Sequence, residues 1–126
     1  MDRRTLGSYG EKAAEGYLLD QGYTILDRNW RCEHGEVDII AQREQTVVFV
    51  EVRTRSSSRY GTPEESITRY KAERLVLTMQ MYLEDHALHH ENWRIDLIAI
   101  ECDPSGNVQR LDHYPNALAD YLDQLS

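Results

Sequence analysis

Two apolar runs, Glu36–Gln42 and Thr46–Thr54, stand only Arg43-Glu44-Gln45 apart, and each carries one acid inside it. Runs of this length rich in Val and Ile read as strands, and a short polar break between them reads as a hairpin turn. The two are therefore expected to pair as antiparallel neighbours. In the second strand, alternation puts Val48, Val50 and Val52 on one face, which is core, and Val47, Phe49, Glu51 and Arg53 on the other. That second face begins apolar and turns charged, so a carboxylate and a guanidinium end a largely buried strand.

The hairpin sits among other elements. Leu6, Tyr9, Ala13, Ala14, Tyr17 and Leu18 recur at helical spacing up to about Asp20, and Gly22 follows as a stop. Tyr23–Leu26 predicts a strand and the polar stretch Asn29–Gly35 a loop. Ser56–Pro63 is made of small and turn-forming residues; Thr62 as N-cap, Pro63 at the first position and Glu64 and Glu65 in the first turn predict a long helix from about Glu64 to Asp85. Trp93–Ile100 and Val108–Leu111 predict strands about an Asp103-Pro-Ser-Gly-Asn turn, and Pro115–Leu122 a terminal helix. The order α-β-β-β-α-β-β-α predicts an α/β fold, a mixed central sheet flanked by helices. At 126 residues the chain is expected to form one domain, residues 1–126, with a core that needs no disulfide or metal staple.

Composition narrows the function classes. No apolar run approaches the ~18 residues needed to cross a membrane, and Met-Asp-Arg-Arg-Thr-Leu-Gly-Ser lacks the apolar stretch of a signal peptide. Cys32 and Cys102 are far apart and without CxxC spacing, which predicts neither a disulfide framework nor a zinc ribbon and fits a reducing cytoplasm. A net charge of −8 disfavours binding nucleic acid by bulk electrostatics. Most basic residues nevertheless fall in the first three-fifths and the tail from Glu84 is acidic, an asymmetry that permits either a local basic groove or an ordinary mixed surface.

Asp38 lies between Val37 and Ile39-Ile40-Ala41, and Glu51 between Val50 and Val52. A carboxylate in such a run is costly unless paired or bound to a cation. If Asp38 faces Phe49 or Glu51 across the hairpin, the two carboxylates are diagonal or direct neighbours, roughly 4.5–8 Å apart at Cβ. One hard divalent cation, Mg²⁺ or Mn²⁺, fits between them. The competing reading pairs Asp38 with Arg53 and Glu51 with another arginine. Glu11, at ~100° per residue, flanks the apolar stripe beside Ala14 and Leu18 and is the candidate third acid, while Glu15 points further outward.

Gly10-Glu11-Lys12-Ala13-Ala14, Gly22-Tyr23-Thr24-Ile25-Leu26-Asp27-Arg28-Asn29, Gly35-Glu36-Val37-Asp38-Ile39-Ile40-Ala41 and Val48-Phe49-Val50-Glu51-Val52-Arg53-Thr54-Arg55 resemble the YraN family of bacterial proteins. The likeness continues through Gly61-Thr62-Pro63-Glu64-Glu65-Ser66, Lys71 and Arg94-Ile95-Asp96. That family in turn resembles the PD-(D/E)xK nucleases, which include restriction endonucleases and archaeal Holliday-junction resolvases. The resemblance implies a restriction-endonuclease-like fold and hydrolysis of phosphodiester bonds in structured or branched DNA. It makes Asp38 the first motif acid and Glu51 the second, puts Arg53 in the lysine position, and matches Glu11 to the helix-one glutamate of the resolvases. Asp38, Glu51 and the Val52 carbonyl would then hold Mg²⁺ or Mn²⁺, with Glu11 assisting, and Arg55, Arg59 and Lys71 would meet nucleic acid. A homodimer is implied in the same way.

Arg53 departs from the pattern. Arginine stays protonated, so it stabilises developing negative charge and cannot act as a general base. Activation of water by a metal removes the need for one, and Lys71 offers an amine from the long helix. A non-catalytic nucleic-acid-binding or scaffold module is the alternative. Arg94 and Asp96, on one strand face, read as a structural ion pair. His86 and His90 have zinc-compatible spacing but no partner of matching spacing, and read as cations at a helix end. Trp30, Tyr60 and Trp93 read as anchors, with Tyr60 the best candidate for base stacking.

Overall fold

The computed structural model describes residues 2–56, 67–88 and 92–123. Its elements are α1 (Arg3–Asp20), β1 (Thr24–Cys32), β2 (Gly35–Arg43), β3 (Thr46–Arg55), α2 (Arg69–Asp85), β4 (Asn92–Cys102), β5 (Val108–Tyr114) and α3 (Ala119–Asp123). This is the expected order. The five strands form one sheet in the order β1-β2-β3-β4-β5, antiparallel except for the central β3–β4 pair, which is parallel. A parallel neighbour requires a crossover, and α2 lies within it.

β3 reads as alternation predicts, with apolar residues buried on both faces. Val47 and Phe49 face α2, where Ala72, Leu75, Val76, Met79, Tyr82 and Leu83 pack against them with Val37, Ile40 and Ile95. Val48, Val50 and Val52 face α1 through Ala14 and Leu18, together with Ile39, Ala41, Ile98 and Ile100. A fully buried Val, Leu, Ile or Phe side chain contributes ~1.5–3 kcal/mol of transfer free energy, so these two layers fix both helices on the sheet.

α1 begins at Asp2, whose carboxylate accepts a 2.8 Å hydrogen bond from the Thr5 amide. It ends at Gln21 and leaves through Gly22, whose φ of +89° is the left-handed conformation glycine adopts freely. Gly10 is needed for a different reason. A Cβ there would stand 1.7 Å from the Thr54 Oγ1, so the helix crosses β3 at a distance only glycine permits.

Several sequence expectations are corrected. β1 does not end at Leu26; it runs to Cys32, pairing Trp30 with Val37 and Arg31 with Glu36, so Asn29–Cys32 is strand and not loop. The polar residues there are tolerated because β1 is an edge strand, with Trp30 turned in against Tyr82. α2 starts at Arg69, where the Thr68 hydroxyl accepts from the Lys71 amide at 3.2 Å, so a continuous helix from Glu64 is not formed. Residues 57–66, with the capping signals at Thr62–Glu65, lie outside the described residues. β5 extends to Tyr114, and α3 starts at Ala119 in place of Pro115. Among the described residues no helix is long and apolar enough to cross a membrane.

Candidate functional site

The β2–β3 ladder pairs Ile39 with Val50 and goes no further toward the start of β2. Continuing that register sets Asp38 across from Glu51, one of the two alignments open from sequence. Beyond it β3 stays paired with β4 as far as Arg55–Glu101, while β2 keeps its pairing with β1 to Gly35. The sheet therefore forks at Asp38 and Glu51. Asp38 closes the fork with its side chain, because its Oδ2 accepts the Val52 amide at 2.8 Å.

On the α2 side the fork opens into a cleft of about 820 Å³, whose walls include Asp38, Glu51, Arg53, Tyr70, Lys71 and Arg74. Glu51 is 8% exposed and lies within hydrogen-bonding reach of Asp38. Burial first, and then the Asp38 carboxyl, push its pKa up to about 8, against the positive charges of Arg53 and Lys71. Arg53 Nη2 is 3.9 Å from Glu51 Oε2, a loose pair, and Arg53 Nε and Nη2 are buried with no hydrogen-bond partner among the described residues. The alternative pairing of Asp38 with Arg53 is not what forms. Lys71 is exposed on α2, at the cleft.

Glu11 lies on the other face of the sheet, in a cleft it shares with Asp38. Asp38, Glu36 and Arg31 also line a second cleft of about 550 Å³ on the α1 side, which contains Glu11, Lys12 and Arg28. Asn29, in the left-handed conformation at φ +48°, turns its amide nitrogen to both neighbouring carboxylates, donating to Glu11 Oε1 at 2.9 Å and Glu36 Oε1 at 3.2 Å. Glu11 is partly buried, and burial, followed by the charges of Asp38 and Glu36, raises its pKa. Glu15 is taken up by Arg28.

A divalent cation fits the donor set at the fork: two carboxyls converge, and one is so unfavourably placed that it tends to keep its proton. The third acid does not join them. Among the described residues no three carboxylate, imidazole or thiol groups stand together as a ready metal site. Arg55 ends β3 opposite Glu101, beyond the cleft walls, and Arg59 lies outside the described residues.

The other candidates resolve into structure. Asp96 is fully buried; Arg94 donates to both its oxygens, at 2.9 and 3.2 Å, and His113 Nε2 and the Asn116 amide complete its partners at 2.7 and 3.0 Å. Burial pushes Asp96 up, but these hydrogen bonds outweigh it and hold the carboxyl below its usual range. Arg94 also donates to the Tyr23 hydroxyl at 2.6 Å and His113 Nδ1 lies 2.9 Å from the Tyr17 hydroxyl, so the expected ion pair ties β4 to β5 and to both ends of the α1–β1 connection. His86 is the C-cap of α2, stacked on Tyr82 with Nδ1 2.9 Å from the Tyr82 carbonyl oxygen. His90 and Tyr60 lie outside the described residues. Cys32 and Cys102 are both free thiols. Tyr70 was not singled out from sequence, although its placement one residue before Lys71 and one turn before Arg74 puts it beside both on the exposed start of α2.

Residues 10–100 match the model of the uncharacterised protein family UPF0102. The chain belongs to that family. A UPF0102 protein of Moorella thermoacetica is 46% identical over 108 residues, covering 86% of this chain and 90% of its own. One from Carboxydothermus hydrogenoformans is 41% identical over 118 residues, covering 94% and 98%, and one from Myxococcus xanthus 40% identical over 116, covering 92% and 90%. Among solved structures, that of Pyrococcus furiosus SfsA in complex with Ca²⁺ aligns with 90% of this UPF0102 chain and 64% of its own, at 16% identity and a TM-score of 0.37. So loose a likeness carries no argument about fold or function.

Proposed function

We propose that this protein is a divalent-metal-dependent nuclease that hydrolyses phosphodiester bonds in structured or branched DNA. The observation that carries the reading is the Asp38–Glu51 pair, set together where the sheet forks, at the foot of a cleft that also holds Arg53 and Lys71. Nature rarely keeps an acid at 8% exposure against a second acid unless a cation or a reaction needs it. The sequence resemblance to PD-(D/E)xK nucleases, which would make these the two motif acids, supports the reading.

Asp38, Glu51 and the Val52 carbonyl would hold Mg²⁺ or Mn²⁺. When bound, the metal supplies Lewis-acid polarisation of the phosphate and lowers the pKa of water. The chain's own groups do the rest. Arg53, whose side chain lines the cleft, neutralises charge that grows on the phosphate oxygens. Lys71 holds a phosphate at the rim. Glu11, held by Asn29, keeps negative charge beside Asp38 from the opposite face and increases the pull of the pair on a cation. Free thiols suit a reducing cytoplasm, and a homodimer would follow resolvase practice.

The test is a cleavage assay on single-stranded, flapped and four-way-junction DNA with Mg²⁺ or Mn²⁺, comparing wild type with Glu51→Ala. The expected result is metal-dependent cleavage by the wild type that the variant loses. A second reading, a non-catalytic DNA-binding module, is favoured by Arg53 in the lysine position and by the lack of a third acid at the fork among the described residues. It predicts no cleavage, and DNA binding that Glu51→Ala leaves intact.

A further inference from the structure

Tyr70 is 66% exposed, the most exposed large apolar side chain among the described residues, and it stands on the wall of the cleft that holds Asp38 and Glu51. The guanidinium of Arg74, one turn along α2, lies 5.3 Å from the centroid of its ring. The ring is thus held against a cation on one side and open to solvent elsewhere, with Lys71 next to it in sequence. An exposed aromatic ring steadied by a cation in this way has a π-face to offer to a ligand.

We infer that Tyr70 and Arg74 form a stacking platform for an unpaired base, and that the strand taken into this cleft is single-stranded or splayed. The inference rests on nucleic acid being the ligand of the cleft. In a duplex the base faces are already stacked on one another and unavailable to a side chain; an unpaired or extruded base presents them. The charge of the protein argues the same way. At −8 the chain cannot hold a duplex by bulk attraction, and two of the arginines at the cleft already lie against acids, Arg31 against Glu36 and Arg53 against Glu51. Affinity must come from something short-ranged and indifferent to net charge, and base stacking on an aromatic is worth ~1–3 kcal/mol per base. Arg74 then serves twice, stiffening the ring and donating to the phosphate that follows the stacked base.

The experiment compares wild type, Tyr70→Ala and Tyr70→Phe for binding to oligothymidylate and to its duplex with oligodeoxyadenylate. Cleavage of both is followed in parallel with wild type and Glu51→Ala. Tyr70→Ala should weaken oligothymidylate binding by about 5- to 150-fold and duplex binding by less than about twofold, while Tyr70→Phe, which keeps the ring, should match wild type. Thermal unfolding should be unchanged, because so exposed a side chain holds little of the fold. Equal losses on the two ligands, or no loss on either, overturn the platform. Glu51-dependent cleavage with no Tyr70 effect leaves the nuclease reading standing and removes this one. Tyr70-dependent binding with no cleavage of these ligands or of flapped and four-way-junction DNA does the reverse, and failure of wild type to bind oligothymidylate overturns the platform.

Discussion

Glu51 is expensive to the fold whenever it is ionised. Its pKa is raised to about 8, so the native state keeps a proton that the unfolded chain has lost above the ordinary glutamate range. The folded form then binds more protons, and the contribution of this group to stability falls as pH rises from the glutamate value through about 8. Glu51→Gln removes that dependence. Relative to wild type it should stabilise the protein by about 1–3 kcal/mol at about pH 9 and by little at about pH 5, read from denaturant unfolding at each pH. Added Mg²⁺ should stabilise wild type at the higher pH and leave Glu51→Gln unmoved. Asp96 is the opposite kind of acid. Four hydrogen bonds, two from Arg94 and one each from His113 and the Asn116 amide, hold it ionised inside the sheet, so it serves the fold and needs no metal ion.

At the scale of the elements, the site depends on how closely α1 crosses β3. Gly10→Ala would drive a methyl into the Thr54 side chain and push the helix outward. We expect it to cost about 1–3 kcal/mol in urea unfolding and to lower any Glu11-dependent activity, since Glu11 is the next residue. This approach was not legible in periodicity, which places Gly10 on a helix and says nothing of what lies beneath it. The hairpin was legible, because Asp38 and Glu51 are the exceptions in otherwise apolar runs and alternation fixes the face of Glu51. The reach of β1 to Cys32 was not, since an edge strand is recruited by its neighbour and polar residues there carry little apolar signal. Tyr70 was hidden for a related reason: an exposed tyrosine near a helix start is ordinary until the fold sets a cleft beside it.

For the whole molecule, the −8 charge and the few cations at the cleft set how binding should respond to salt. A single strand held by three or four phosphate contacts gives a slope of log affinity against log salt of about −2 to −3, far shallower than for a strongly basic DNA-binding protein. Lys71→Ala and Arg74→Ala should each reduce that slope by about 0.7 in fluorescence-anisotropy titrations across salt. A steep slope would mean that a different, more basic surface carries the contact.

Asp38 is shared by the walls of both clefts, with Glu51 on one side of the sheet and Glu11 on the other. Energetically that makes it a joint. Changes at Glu11 and Glu51 should not add independently, although a layer of sheet separates them; their coupling in a double-mutant cycle should be large with Asp38 present and vanish in an Asp38→Asn background. Genetic suppressors of a lesion in one cleft are then to be sought in the other, across the fork and not along it.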